Sequence, residues 1–282
     1  MNINTLFIVG AGQMGNGIAQ VAAGKGLQVL LHDITQELAE KGKKAVAKNL
    51  ERQVQKEKIK PVEMHAILER IRPVSDLQLA ASADIAIEAA TENLDIKKKV
   101  FIALDTITKP ECILATNTSS QSITEIAAVT KRPDKAIGMH FFNPVPVMKL
   151  VEIVNGLATS AATYKEVYEL SLFLDKTPAK VADYPGFVSN RVLMPMINEA
   201  IYCLYEGIAD AESVDTVMKL GMNHPMGPLT LADLIGLDTC LFIMQRLYTG
   251  FADSKYRPCP LLIKMVEAGK LGRKTGEGFY KY

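Results

Sequence analysis

Short apolar runs alternate with longer amphipathic stretches through the first part of the chain. Runs at residues 6–10, 29–33, 84–89, 112–117 and 136–141 are brief and rich in Val, Ile, Leu and Ala. Several lack the alternation of a half-exposed strand, which fits strands buried on both faces. The stretches between them are long enough for crossover helices. The pattern therefore predicts an α/β fold with a doubly wound, mostly parallel sheet. Two further strand-like runs, 150–154 and 180–184, flank a helical segment at 164–174. At Tyr184-Pro185-Gly186 the pattern changes. Beyond it, residues 187–205, 211–220, 229–247 and 260–268 read as helices separated by Gly and Pro, and Pro195 should kink the first. We expect two domains, 1–185 and a smaller all-α domain at 186–282.

Composition narrows the function classes. The chain has 282 residues, 48% of them hydrophobic, enough to bury a core and too many for a disordered chain. Lys and Arg number 32 against 31 Asp and Glu, so global charge gives no reason to expect nucleic acid or a membrane surface as partner. Cys112, Cys203, Cys240 and Cys259 lie far apart with no zinc-type spacing, so we expect reduced thiols and no metal. No apolar run reaches the ~18 residues of a membrane span. The N-terminus shows no secretion signal, and a cytoplasmic protein is expected.

The first chemical signal is Gly10-Ala-Gly12-Gln13-Met14-Gly15, a G-x-G-x-x-G that follows an apolar strand and opens a helix at 13–23. Asp33 ends the next apolar run, 18 residues after Gly15. Each part has a physical task in binding a dinucleotide. Gly10 permits a tight turn, Gly12 lets backbone approach a pyrophosphate, Gly15 lets helix and strand pack, and the helix N-terminus faces the anion. Asp33 would accept hydrogen bonds from the ribose diol and repel a 2′-phosphate, which favours NAD over NADP. These features make the first domain Rossmann-like.

A second signal is a basic stripe. Lys44, Lys48, Arg52, Lys56 and Lys60 recur every four residues and should lie along one helical face. Taken alone this is a solvated helix face; the alternative is a docking face for a polyanion such as the phosphates of coenzyme A.

The third signal is a set of polar residues at predicted strand ends. His140 stands at the end of the run 136–141, on the edge of an open sheet where ligands sit. Glu152 lies in the otherwise apolar Lys149-Leu-Val-Glu152-Ile-Val, where a carboxylate needs a partner. His140 is the nearest plausible one. A carboxylate on one ring nitrogen would fix the tautomer and leave the other nitrogen to handle a substrate proton. Asn117-Thr118-Ser119-Ser120 falls on the same edge, and Asn190 would enter a cleft from the helical side. His65 and His224 have no evident acid partner and are read as structural.

These residues, with Gly138-Met-His140-Phe-Phe-Asn143-Pro-Val-Pro-Val-Met-Lys-Leu-Val-Glu152, Pro185-Gly-Phe-Val-Ser-Asn190-Arg, His224-Pro-Met-Gly-Pro228 and Gly272-Arg-Lys274-Thr-Gly-Glu-Gly-Phe-Tyr280, resemble the 3-hydroxyacyl-CoA dehydrogenase family over essentially the whole chain, most closely its short-chain members. The resemblance implies a catalytic His140 oriented by Glu152, with Ser119 and Asn190 contacting the substrate. It implies cofactor contacts from Gly10, Gly12, Gln13, Met14, Gly15, Asp33, Glu92, Lys97, Ser119 and Asn143, with Lys274 reaching in from the tail. It places Arg52 and Lys56 where the family binds CoA phosphates, which favours the docking reading of the stripe. It also implies NAD as cofactor, acetoacetyl-CoA or 3-hydroxybutyryl-CoA as substrate, a role in fatty-acid or butyrate metabolism, and a homodimer formed through the helical domain. Two rivals share the scaffold: an L-gulonate-type hydroxyacid dehydrogenase, and a non-catalytic dinucleotide-binding protein.

Overall fold

The computed structural model describes residues 3–282 and divides into two compact units, one ending at Asp183 and one spanning Tyr184–Tyr282. The first unit is built on an eight-stranded sheet in the order β3-β2-β1-β4-β5-β6-β7-β8. Its strands are β1 (Thr5–Val9), β2 (Gln28–His32), β3 (Ile71–Val74), β4 (Ile85–Glu88), β5 (Ile113–Thr116), β6 (Ala136–Phe141), β7 (Leu150–Asn155) and β8 (Thr177–Ala182). Every neighbouring pair is parallel except β6 with β7.

Both faces of the sheet are covered, which explains the unbroken apolar runs. Leu6 and Ile8 point to one side, against α1 (Gln13–Gly24), α2 (Gln36–Gln55) and α6 (Ala161–Phe173), through Ile18, Val46 and Val167. Phe7 and Val9 point to the other, against α4 (Leu94–Ile107) and α5 (Ile123–Ala127), through Phe101 and Ile126. The short α3 (Pro61–Glu69) leads into β3.

Several elements depart from the sequence expectation. Strand β3 was not anticipated, because Ile71-Arg-Pro-Val74 is four residues long and contains a proline. It is an edge strand, where a missing backbone donor is tolerated. The opposite edge strand, β8, begins at Thr177, earlier than its apolar residues suggest. The basic stripe does not run along one helix. Helix α2 ends at Gln55 with Lys56 as its cap, Glu57 adopts a left-handed φ of 55°, and Lys60 caps the N-terminus of α3.

The second unit is helical: α7 (Ser189–Tyr205), α8 (Ala211–Thr216) running into a π-helical turn, α9 (Pro228–Ile235), α10 (Leu237–Phe251) and α11 (Pro260–Glu267). Met194, Ile197, Ile201, Leu229, Leu237, Met244 and Leu262 form its core. The stretch expected as one helix over 229–247 is two helices bent by 98°. Gly236 makes the break at φ 101°, a conformation a side chain rarely adopts. The fully buried Asp233 pins the tail: its carboxylate accepts from Phe279 N and Tyr280 N at 3.0 Å and from the Tyr282 hydroxyl at 3.2 Å. Among the described residues, no single helix is long and apolar enough to cross a membrane.

Candidate active site

The glycine loop leaves β1 at Gly10, whose φ of 98° turns the chain sharply and whose N–H donates to the carbonyl of His32 at 2.8 Å. A Cβ on Gly10 would stand 2.6 Å from Ala90 Cα, and one on Gly15 would stand 1.7 Å from the Gly10 carbonyl oxygen. Strand, loop and helix thus approach so closely that only glycine fits at both positions. Gly12 differs, since a Cβ there would meet nothing within 4 Å. Its open side is what backbone approach to a ligand needs. Gly12 also caps α1 with no side-chain hydrogen bond, and the first turn carries no acid. The leading N–H groups of α1 therefore have neither a capping side chain nor an acid within the first turn. That is the donor set a pyrophosphate requires.

Asp33 follows β2, half-buried. Its Oδ2 accepts from Ala11 N and its Oδ1 from Ile34 N, each at 2.8 Å. The carboxylate thus braces the glycine loop, a task that sequence spacing does not reveal. Gln13 Nε2 donates to Asn143 Oδ1 at 3.0 Å, which ties the start of α1 to the loop after β6. Met14 is partly buried and packs against the core. Behind that loop, buried Lys176 donates to the carbonyls of Val145 at 2.5 Å and Met148 at 2.8 Å. Its ammonium has carbonyl partners rather than a carboxylate there, and burial, with Lys149 nearby, pushes its pKa down. Nothing in the sequence around Lys176 signals this role.

His140 and Glu152 face each other in the one antiparallel pairing of the sheet, directly opposite in register. His140 Nδ1 lies 2.8 Å from Glu152 Oε2, and both side chains are buried. An ionised carboxylate only accepts, so Nδ1 carries the proton and Nε2 is the acceptor of the neutral ring. Phe142 packs on the imidazole with ring centroids 4.6 Å apart. Chain reversal between β6 and β7 is what sets these two side chains directly across from each other.

Beside them, the ends of β4 and β5 carry a linked polar group. Glu92 accepts from Ser119 N at 2.9 Å, Ser119 Oγ at 3.1 Å and Thr118 Oγ1 at 2.6 Å. Asn117 Oδ1 accepts from Phe141 N at 2.9 Å, joining β5 to the strand of His140. Lys97 is 1% exposed; its Nζ lies 2.6 Å from Glu88 Oε2 and 3.4 Å from Thr116 Oγ1. Glu88 was missed, although it ends the apolar run Ile85-Ala-Ile-Glu88 just as Glu152 interrupts its own. Arg52, in the last turn of α2, and Lys56, its cap, are both exposed.

In the second unit, Asn190 is buried in the first turn of α7, and the Lys274 ammonium lies 2.8 Å from Asp238 Oδ1 and 3.0 Å from Thr239 Oγ1.

The sequence matches the family model described as 3-hydroxyacyl-CoA dehydrogenase, NAD binding domain, over residues 5–184. It matches the model of the C-terminal domain of the same family over 186–282. The chain belongs to the 3-hydroxyacyl-CoA dehydrogenase family. Within that family it is 58% identical to a Bacillus subtilis protein named "Probable 3-hydroxybutyryl-CoA dehydrogenase", over 100% of this chain and 98% of the relative. It is 52% identical to the 3-hydroxybutyryl-CoA dehydrogenase of Bradyrhizobium diazoefficiens, over 99% and 96% of the two chains. Among solved structures, the (S)-3-hydroxybutyryl-CoA dehydrogenase of Ralstonia eutropha superposes with a TM-score of 0.98 at 54% identity, over 100% of this chain and 99% of that one. The first unit is thus the NAD-binding domain of a family dehydrogenase, and its uncapped helix and Gly12 fit the dinucleotide that this domain holds.

Proposed function

We infer that the protein catalyses the reversible, NAD-dependent oxidation of an (S)-3-hydroxyacyl-CoA, with 3-hydroxybutyryl-CoA as the substrate its relatives indicate. The observation that carries the mechanism is the buried His140–Glu152 pair on the same sheet edge as the glycine loop. NAD, when bound by this domain, would supply the acceptor for the hydride that leaves C3. His140 Nε2 takes the hydroxyl proton as the C3–O bond becomes a carbonyl. In the reverse direction the protonated ring donates to the ketone oxygen and returns the same proton. Glu152 holds the ring and stabilises the imidazolium formed during oxidation. Ser119, held by Glu92, and Asn190 are assigned to the substrate. Gly10, Gly12, Gln13, Met14, Gly15, Asp33, Glu92, Lys97, Ser119, Asn143 and Lys274 are assigned to NAD, and Arg52 and Lys56 to the CoA phosphates. A homodimer in the cytoplasm belongs to the same reading, on family resemblance.

The substrate class is tested by NADH oxidation with acetoacetyl-CoA, free acetoacetate and longer 3-oxoacyl-CoA esters, repeated with NADPH. We expect turnover with acetoacetyl-CoA and NADH, and far less with the free acid. Equal kcat/KM for acetoacetate would favour a free hydroxyacid substrate, which has no use for Arg52 and Lys56. No oxidation with any ester would favour a non-catalytic dinucleotide-binding protein.

A further inference from the structure

Glu88 is fully buried at the last position of β4, and the mechanism above gives it no task. Its carboxylate nevertheless collects hydrogen bonds from three separate segments. Oε1 accepts from Ala90 N at 2.9 Å and from Thr91 N at 3.4 Å. Oε2 accepts from Thr116 Oγ1 at 2.8 Å and from Lys97 Nζ at 2.6 Å. The end of β5, the start of α4 and the turn that follows β4 therefore meet on one anion.

That turn touches the cofactor loop on one side and the polar site on the other. Ala90 packs so tightly on Gly10 that a Cβ there would be 2.6 Å from Ala90 Cα. Two residues on, Glu92 holds Ser119 through its backbone N–H and its hydroxyl, and the Glu92 carbonyl accepts from Gln121 Nε2 at 2.7 Å. A buried ion pair is poor evidence for stability, because desolvation offsets its attraction and an apolar replacement is often neutral. A fully satisfied polar network instead fixes one arrangement of the groups it joins.

We propose that Glu88 is a positioning residue for the dehydrogenase: it sets the turn 89–93 so that the glycine loop is backed by Ala90 and Ser119 is presented by Glu92. It acts through these residues and touches neither cofactor nor substrate. The proposal rests on the dehydrogenase reading above, and part of its test does not depend on turnover.

The test uses the full-length chain and the variants Glu88→Gln, Ser119→Ala and their double. The readouts are NADH affinity by fluorescence titration, kcat and KM separately, and Tm. Neighbours in one network couple by factors of roughly two to one hundred. We expect Glu88→Gln to weaken NADH binding and lower kcat/KM by about tenfold each, and to cost less than about threefold in kcat/KM when Ser119 is already Ala. Additive losses in the double variant would overturn the proposal. Should Glu88→Gln fail to fold, Thr116→Val removes one bond to the same carboxylate while keeping a β-branched shape. A weakened NADH affinity in that variant supports positioning. A lowered Tm with unchanged NADH affinity and kcat would show a structural role only and overturn it. A wild-type protein that binds NADH but reduces no 3-oxoacyl-CoA would overturn the functional reading, while the NADH titrations would still decide the role of Glu88.

Discussion

Replacing Gly15 by Ala is expected to lower Tm and weaken NADH binding at least tenfold. The added methyl would lie 1.7 Å from the Gly10 carbonyl oxygen and 3.3 Å from the Ile8 side chain. Overpacking typically costs ~1–3 kcal/mol where side chains can give way. Here the obstacle is backbone, so the cost belongs at the upper end or above, well beyond the ~1 kcal/mol that Ala gains over Gly inside a helix. To relieve the overlap, α1 must move away from β1 and carry its N-terminal N–H groups with it. Gly12→Ala is the control. It finds open space, so the fold should stay intact while the methyl occupies the face a pyrophosphate would approach. Thermal melts and NADH titrations of the two variants separate the effects. A native Tm for Gly15→Ala, or an unchanged NADH affinity for Gly12→Ala, would contradict this account of the loop.

His140→Gln is expected to reduce turnover by ~10²–10⁴-fold, the usual contribution of a positioned general base. Gln is of similar size and can still donate to Glu152, so the burial of that carboxylate stays satisfied and the fold should persist. It cannot take up a proton. NADH affinity should remain near that of the wild type, because His140 is not among the residues assigned to NAD. Comparable kcat values in variant and wild type would remove His140 from the chemistry.

The residues explain which features could be read from sequence. The central strands were legible because burial on both faces leaves unbroken apolar runs. Glu152 was legible for the opposite reason: a lone carboxylate in such a run needs a partner, and the antiparallel register supplies His140 directly across from it. The sheet edges were less legible, since Ile71-Arg-Pro-Val74 and Thr177-Pro-Ala-Lys-Val-Ala182 are strands only because a neighbour offers hydrogen bonds. The four-residue repeat of basic residues suggests one continuous helix, but Glu57 turns the chain into the left-handed region. Gly236 likewise hid a sharp corner inside a continuous apolar pattern. The long-range partners of Glu88 and Lys176 depend on tertiary packing, with separations of up to 31 residues, and local pattern carries no record of them.

An imidazole braced by Glu152 is proposed to move the proton that accompanies hydride transfer. This role is tested most directly by following a single turnover of NADH with acetoacetyl-CoA across pH, in the wild type and in Glu152→Gln. The wild type is expected to show a pH-dependent rate, and the variant a slower rate with a displaced pH profile. Superimposable profiles at equal rates would show that Glu152 is not coupled to the reacting proton, and would contradict the account.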